Sequence, residues 1–233
     1  MTRTSLIAFF AIFVSVASYA QFNENPILNL ENEDKKLVNW GYFLGMNQYG
    51  FKIDYKNDDG IYILDGKSNG FNVGLIGELR LNDHLDLRLE PGLFYTQRDL
   101  GFPNFPTDSP DFIRETKSTY IHIPLLLKAS TKRLGNFKPY LVGGVSTSIN
   151  LSSEERSKED NTSGKFRMTT NTYYYEVGFG IDFYLYYFKF SPSIRGVFAL
   201  TDELIPDNDP NSPWTGNIDG LYSRAIFINF TFE

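Results

Sequence analysis

Between Phe71 and Tyr95 the chain reads FNVGLIGELRLNDHLDLRLEPGLFY, and apolar and non-apolar residues exchange places at almost every step. With period two, Phe71, Val73, Leu75, Leu79, Leu81, Leu85, Leu87, Leu89, Pro91, Leu93 and Tyr95 share one face. The opposite face carries Asn72, Gly74, Glu78, Arg80, Asp86, Arg88, Glu90 and Gly92. Such alternation marks strands with one greasy side, here two strands joined at Asn82–His84. The same count along the chain predicts eight strands. The first runs from Asn39 to Phe51, with Trp40, Tyr42, Leu44 and Met46 opposite Gly41, Gly45 and Asn47. The hairpin supplies the second and third. The fourth, Ser118 to Ser130, sets Ile121, Ile123, Leu125 and Leu127 against Tyr120, His122 and Lys128. The fifth, Lys138 to Leu151, alternates less cleanly, because Val142 and Val145 fall on opposite faces. In the sixth, Asn171 to Tyr184, six apolar or aromatic residues from Tyr173 to Phe183 face away from Glu176, Gly178, Gly180 and Asp182. The seventh, Phe188 to Ala199, carries Lys189 and Arg195 on its polar face, and the eighth, Leu221 to Phe232, aligns Ile226, Ile228, Phe230 and Phe232. Lengths of roughly ten to thirteen residues suit a tilted membrane-spanning strand and exceed the globular norm.

The connections alternate too. Those after the second, fourth and sixth strands are short (Asn82–His84, Thr131–Phe137, Leu185–Tyr187), whereas those after the first, third, fifth and seventh are long and polar. This is the expected arrangement of short periplasmic turns and long extracellular loops in an outer-membrane barrel. A soluble ligand-binding barrel, with its apolar face inward, is the competing architecture. It has no reason to alternate its loops, and eight strands enclose room for side chains or one small ligand only. The aromatic-rich face is too bulky for so narrow a core, so it belongs in lipid. The expected fold is all-β, an eight-stranded antiparallel transmembrane β-barrel.

The polar face then fills the lumen. With Asn82–His84 as a three-residue turn, Arg80 lies opposite Asp86 and Glu78 opposite Arg88, two opposite-charge cross-strand pairs. Buried charges need such pairing, and Glu90, His122, Lys128, Glu176, Asp182, Lys189 and Arg195 are expected to join the same network. The plainer alternative is that these charges avoid lipid and touch lumen water. In both cases the bore admits water and small ions at most.

Composition adds the address. MTRTSLIAFFAIFVSVASYA has one positive charge at Arg3, an apolar run from Leu6 to Ala17, and small residues at Ser18 and Ala20. That is the layout of a secretory signal peptide over residues 1–20, its apolar run too short to span a bilayer comfortably. A periplasmic segment would follow over 21–38 and the barrel over 39–233. Removing Arg3 leaves 21 basic against 28 acidic residues, which argues against nucleic acid as a partner. Cysteine is absent, while 15 Tyr and 21 Phe suit a membrane barrel.

Little in the chain points to catalysis. His84 sits in a turn and His122 reads as a structural lumen residue, and the sequence has no His-x-x-x-His or cysteine-rich spacing for zinc. We expect no enzyme activity, no cofactor, no metal and no small-molecule substrate. The runs NDDG (Asn57–Gly60) and PDNDPN (Pro206–Asn211) have carboxylates for calcium without the spacing of a dedicated calcium loop. A solvated outer loop is their default reading.

Four stretches carry a resemblance: NLENEDKKLVNWGYFLGMNQYGF, STYIHIPLLLKASTKRLGNFKPYLVGG, GFGIDFYLYYFKFSPSIR and the ending IDGLYSRAIFINFTFE. They resemble the PorT family of Bacteroidota, also called SprT in gliding bacteria. STYxxIPLLLK with FKPYLVGG is shared with many small barrels of that phylum. DKKL at Asp34–Leu37, GxxLGxN at Gly41–Asn47, YFKFSP at Tyr187–Pro192 and the TFE terminus narrow the match. The resemblance implies an outer-membrane component of the type IX secretion system, which exports proteases, surface adhesins and gliding machinery, with no catalytic residue to carry over. Its implied partners are outer-membrane lipid and other type IX components. The segment Asn29 to Lys36, with Asn29, Asp34, Lys35 and Lys36, and the long loops after the fifth and seventh strands are the first places to expect partner contact. The alternative function is a small passive porin-like or adhesion barrel without a dedicated partner. Barrel assembly signals usually end in an aromatic, whereas here Glu233 follows Phe232.

Overall fold

Alternation of this kind commits each strand to two unlike surfaces, and a sheet that crosses a bilayer can leave no open edge, so it must close. In the computed structural model, which describes residues 27–57, 60, 62–106, 108–109, 111–153, 155 and 166–233, one antiparallel sheet does close. The expected leader and most of the 152–165 run lie outside the described residues. The strand segments are β1 (Val38–Tyr55), β2 (Leu64–Lys67), β3 (Asn69–Arg80), β4 (Leu85–Leu89), β5 (Gly92–Gly101), β6 (Ile113–Ser130), β7 (Phe137–Asn150), β8 (Asn171–Tyr184), β9 (Lys189–Ala199) and β10 (Ile218–Phe232). β2 and β3 are one strand broken at Ser68, and β4 and β5 are one strand broken at Glu90–Pro91, where proline has no N–H to give the ladder. Eight strands therefore make the ring, and the pairing of β1 with both β3 and β10 closes it.

The hairpin register is the expected one: Leu79 pairs with Leu87, Glu78 with Arg88 and Arg80 with Asp86, and Leu81 N donates to Leu85 O at 2.9 Å. Each of the eight strands turns apolar side chains outward, from Trp40 (75 % exposed) to Leu141 (66 %) and Phe179 (58 %). At the β6–β7 turn, Leu134 and Phe137 exchange backbone hydrogen bonds around Gly135–Asn136. Gly135 has φ +62°, a conformation that the first central position of a tight hairpin takes and that glycine adopts without strain.

Two expectations are corrected. β1 runs on to Tyr55, the third strand to Gly101, and β6 starts at Ile113 instead of Ser118. At 18 residues β1 and β6 exceed the 9–11 that cross a bilayer, and the excess projects at the loop end, where the outward side chains include polar ones such as Lys52 and Asp54 and the apolar alternation fades. The second correction concerns bulk. Phe43, Tyr49, Phe94, Tyr120, Tyr174 and Phe227 all point inward and are at most 2 % exposed. Phe43 fits because glycine stands opposite: a Cβ on Gly74 would lie 2.5 Å from its ring.

Candidate functional site

The lumen is filled in three layers. At the periplasmic end, the charges foreseen from β3, β4, β6, β8 and β9 form one contact chain. Lys128 Nζ reaches Asp182 at 2.8 Å and Glu78 at 3.2 Å. Arg88 lies 3.0 Å from Glu78 and 3.3 Å from Glu90, and Arg195 bridges Glu90 at 2.5 Å and Glu176 at 3.0 Å. His122 ends the chain, bonded to Glu176 at 2.8 Å and to Ser148 at 2.5 Å. Lys189 contacts Glu78 at 3.6 Å and is bonded to Glu233. No side chain in these ion pairs is more than 4 % exposed. Alternating signs let each ion desolvate against its neighbours, which is the condition for burying charge at all.

Two foreseen members stand outside this chain. Asp86 is buried at the mouth and enters none of these ion pairs. Arg80, its ladder partner, pairs instead with Asp83 in the turn. At the end of β3 its guanidinium reaches water and a carboxylate three residues on, so nothing compels it inward. One member was missed. Glu233 is 1 % exposed at its side chain and holds Arg88 at 2.6 Å as well as Lys189. The signal was present in the alternation, since the residue after outward Phe232 must face in.

Above the charges lies the aromatic layer, with Phe94 and Phe227 ring centroids 4.8 Å apart and His122 edge-on to Phe94 at 4.9 Å. The third layer was not foreseen. Arg98, fully buried, donates to Ser223 at 2.8 Å and to Tyr120, and lies 4.1 Å over the Phe51 ring. Ser223 and Tyr174 donate in turn to Glu203, at 3.0 and 3.2 Å. Glu203 belongs to the loop after β9, so this network ties the loop to the bore. Phe51, Leu100, Phe102, Phe166, Met168, Trp214, Ile218 and Leu221 cap the extracellular end. Arg98 was legible as the next inward position after Phe94 and Thr96; Glu203 was not, because loops have no period.

At the periplasmic mouth a strap crosses the turns. Asn29 donates to the Tyr184 carbonyl at 3.0 Å and its N–H to Asn136 at 2.9 Å, while Arg133 donates to the carbonyls of Asn29 and Leu30. Asp34 accepts from the Tyr184 hydroxyl at 2.5 Å and faces Lys138 and Arg133, each at 3.4 Å. Burial opposes ionisation of Asp34, but the Tyr184 hydrogen bond, Lys138 and Arg133 outweigh it and hold the carboxyl below its usual range. Of the residues singled out for partner contact, Asn29 and Asp34 are thus turned onto the barrel. Lys35 is exposed, and Lys36 is exposed while paired with Glu33 at 2.7 Å. The pocket left between strap and network is about 10 Å³, barely the room of one water.

Among the described residues no group of His, Cys, Asp or Glu is arranged to hold a metal. In the PDNDPN run Asp207 pairs with Arg167 at 3.2 Å, and of NDDG only Asn57 and Gly60 are described. No helix among the described residues is long and apolar enough to cross a membrane; the strands do the crossing.

A family model for the outer membrane protein beta-barrel domain matches residues 19–204. The chain belongs to that family. It is an outer-membrane barrel, and its oily face meets lipid. Three solved structures are similar to this outer-membrane barrel. Neisserial surface protein A shares 11 % identity over 82 % of this chain and 95 % of its own, with a TM-score of 0.44. OprG of Pseudomonas aeruginosa shares 14 % over 84 % and 93 %, at 0.44. Ail of Yersinia pestis, in complex with a heparin analogue, shares 13 % over 83 % and 96 %, at 0.39. No curated protein matches the chain.

Proposed function

We propose that this barrel is a non-enzymatic subunit of the type IX secretion system, needed for export of surface adhesins, proteases and gliding proteins, and that it acts through partner contacts and not as the conduit. The observation that carries the second half is the bore: charges, rings and an apolar cap occupy it in succession, leaving no path for a polypeptide. The first half rests on the resemblance of DKKL, GxxLGxN, YFKFSP and the TFE terminus to the PorT family. On this reading, the surfaces left for partner contact are the long loops and the solvent side of the strap with Lys35 and Lys36. No residue is assigned a catalytic role, and no cofactor or nucleic acid is required.

Deleting the gene tests this reading. Export of type IX cargo should be lost while the outer membrane stays intact, and mild-detergent purification should bring other type IX components along with the barrel. Normal cargo export in the deletion strain would overturn it, and ion conductance in planar bilayers would favour a passive porin-like barrel instead.

A further inference from the structure

The backbone ladder between β1 and β3 ends at Gln48 and Asn69, and β2 pairs with β5 alone. Beyond that point side chains bridge the two strands: Phe51 N donates to Asp65 Oδ2 at 2.9 Å and Ile63 N donates to Tyr55 Oη at 2.9 Å. Asp65 and Lys67 lie opposite Leu100 and Arg98, both fully buried lumen residues. Opposed residues of an antiparallel pair share a face, so Asp65 and Lys67 point toward the barrel. Both nevertheless meet Gly50, which faces outward because Tyr49 and Phe51 beside it face in. β2 therefore laps over the outer surface of β1. A Cβ on Gly50 would lie 2.8 Å from Asp65 Oδ2 and 3.0 Å from Lys67 Cε, so glycine makes the lap possible.

The lap borders a cleft of about 310 Å³ on the outer wall, floored by Phe198 and Ile226 and rimmed by Lys67 and Arg224. Both cations are exposed, and among the described residues neither side chain has an ion-pair or hydrogen-bond partner. Lys52, a neighbouring outward cation, is by contrast paired with Asp54 at 2.9 Å. The acid nearest the rim, Asp65, is turned to the Phe51 N–H. An unpaired cation on a lipid-facing strand is costly in hydrocarbon and tolerated at the interface. Phe198 of the cleft stacks on Tyr175, and such outward rings are those an interfacial belt selects. The cleft thus lies at headgroup level in the outer leaflet, with two free cations above an apolar floor.

We propose that this cleft binds the phosphorylated headgroup of an outer-leaflet lipid, Lys67 and Arg224 taking the phosphate while an acyl chain lies on Phe198 and Ile226. A guanidinium fork suits a phosphate, and the site is independent of any role in secretion. The test is binding of diphosphorylated lipid A to the purified full-length barrel in detergent, read by native mass spectrometry. K67Q/R224Q should weaken binding by about tenfold or more, R224K should lose less than R224Q because the charge stays while the fork is lost, and K52Q should leave binding unchanged. Retention of the folded gel mobility shows that the variants are barrels; should the double variant lose it, R224Q alone carries the test, with a loss of about threefold or more. Unchanged binding by the cation variants overturns the proposal. So does equal binding of the dephosphorylated lipid, or displacement of lipid A by inorganic phosphate at equal concentration, which would mark a site for free phosphate.

Discussion

Lys128 holds two carboxylates from a position 1 % exposed, and its loss would leave both in a bore without water to replace it. Lys128→Met should therefore destabilise the barrel by about 3–5 kcal/mol, measured as a lower temperature for loss of the fast-migrating folded band on a denaturing gel. Combining it with Asp182→Asn should cost less than the sum of the single changes, since each alone strands the other's charge. Arg80→Ala provides the contrast. Its partner Asp83 is 83 % exposed, so the change should move stability by no more than about 0.5 kcal/mol. Period-two counting placed Arg80 and Lys128 on one face and could not tell them apart. What separates them is distance from the rim.

The strap is the element whose behaviour depends on pH. The folded Asp34 carboxyl titrates below its unfolded value, so it stabilises the docked strap fully above the unfolded pKa, near 4. That contribution falls away as pH drops through the lower, folded value. Protection of the Asn29–Lys36 amides against hydrogen exchange, taken relative to the intrinsic rate at each pH, should fall at acid pH before the barrel itself opens, and Asp34→Asn should abolish that step; an unchanged profile in the variant would assign the step elsewhere. Leu30 sits at φ 49° within the strap, a region leucine enters only when its surroundings hold it there. Here Arg133 bonds the Leu30 carbonyl at 3.3 Å. Arg133→Ala should free the strap to protease at neutral pH while the folded gel mobility persists. The sequence marked this stretch as polar and interesting, but docking onto the turn at Asn136, some hundred residues away, has no local signature.

As a whole, the molecule is a plugged cylinder. The ionic layer and the apolar cap block it independently, so opening one leaves the other. Glu233→Gln, which removes an acceptor shared by Arg88 and Lys189, should lower thermal stability without raising conductance in planar bilayers. Conductance rising to the level of an open channel in that variant would show that the terminal residue seals the bore. At this scale the strand count, the orientation of the faces and the alternation of short and long connections were all legible, because a membrane strand must repeat the same two-sided solution eight times.

Two-residue periodicity alone determined that lipid would meet one face and that Glu78, Arg88, Glu90, His122, Lys128, Glu176, Asp182, Lys189 and Arg195 would share the lumen, since no other place in a narrow barrel accepts them. Ring closure decided the rest. Which charge pairs with which, the recruitment of Glu203 from a loop, the seat of the strap on the turns and the lap of β2 over Gly50 all depend on shear and on contacts between distant segments. Those distances exist only once the sheet has joined its own edge.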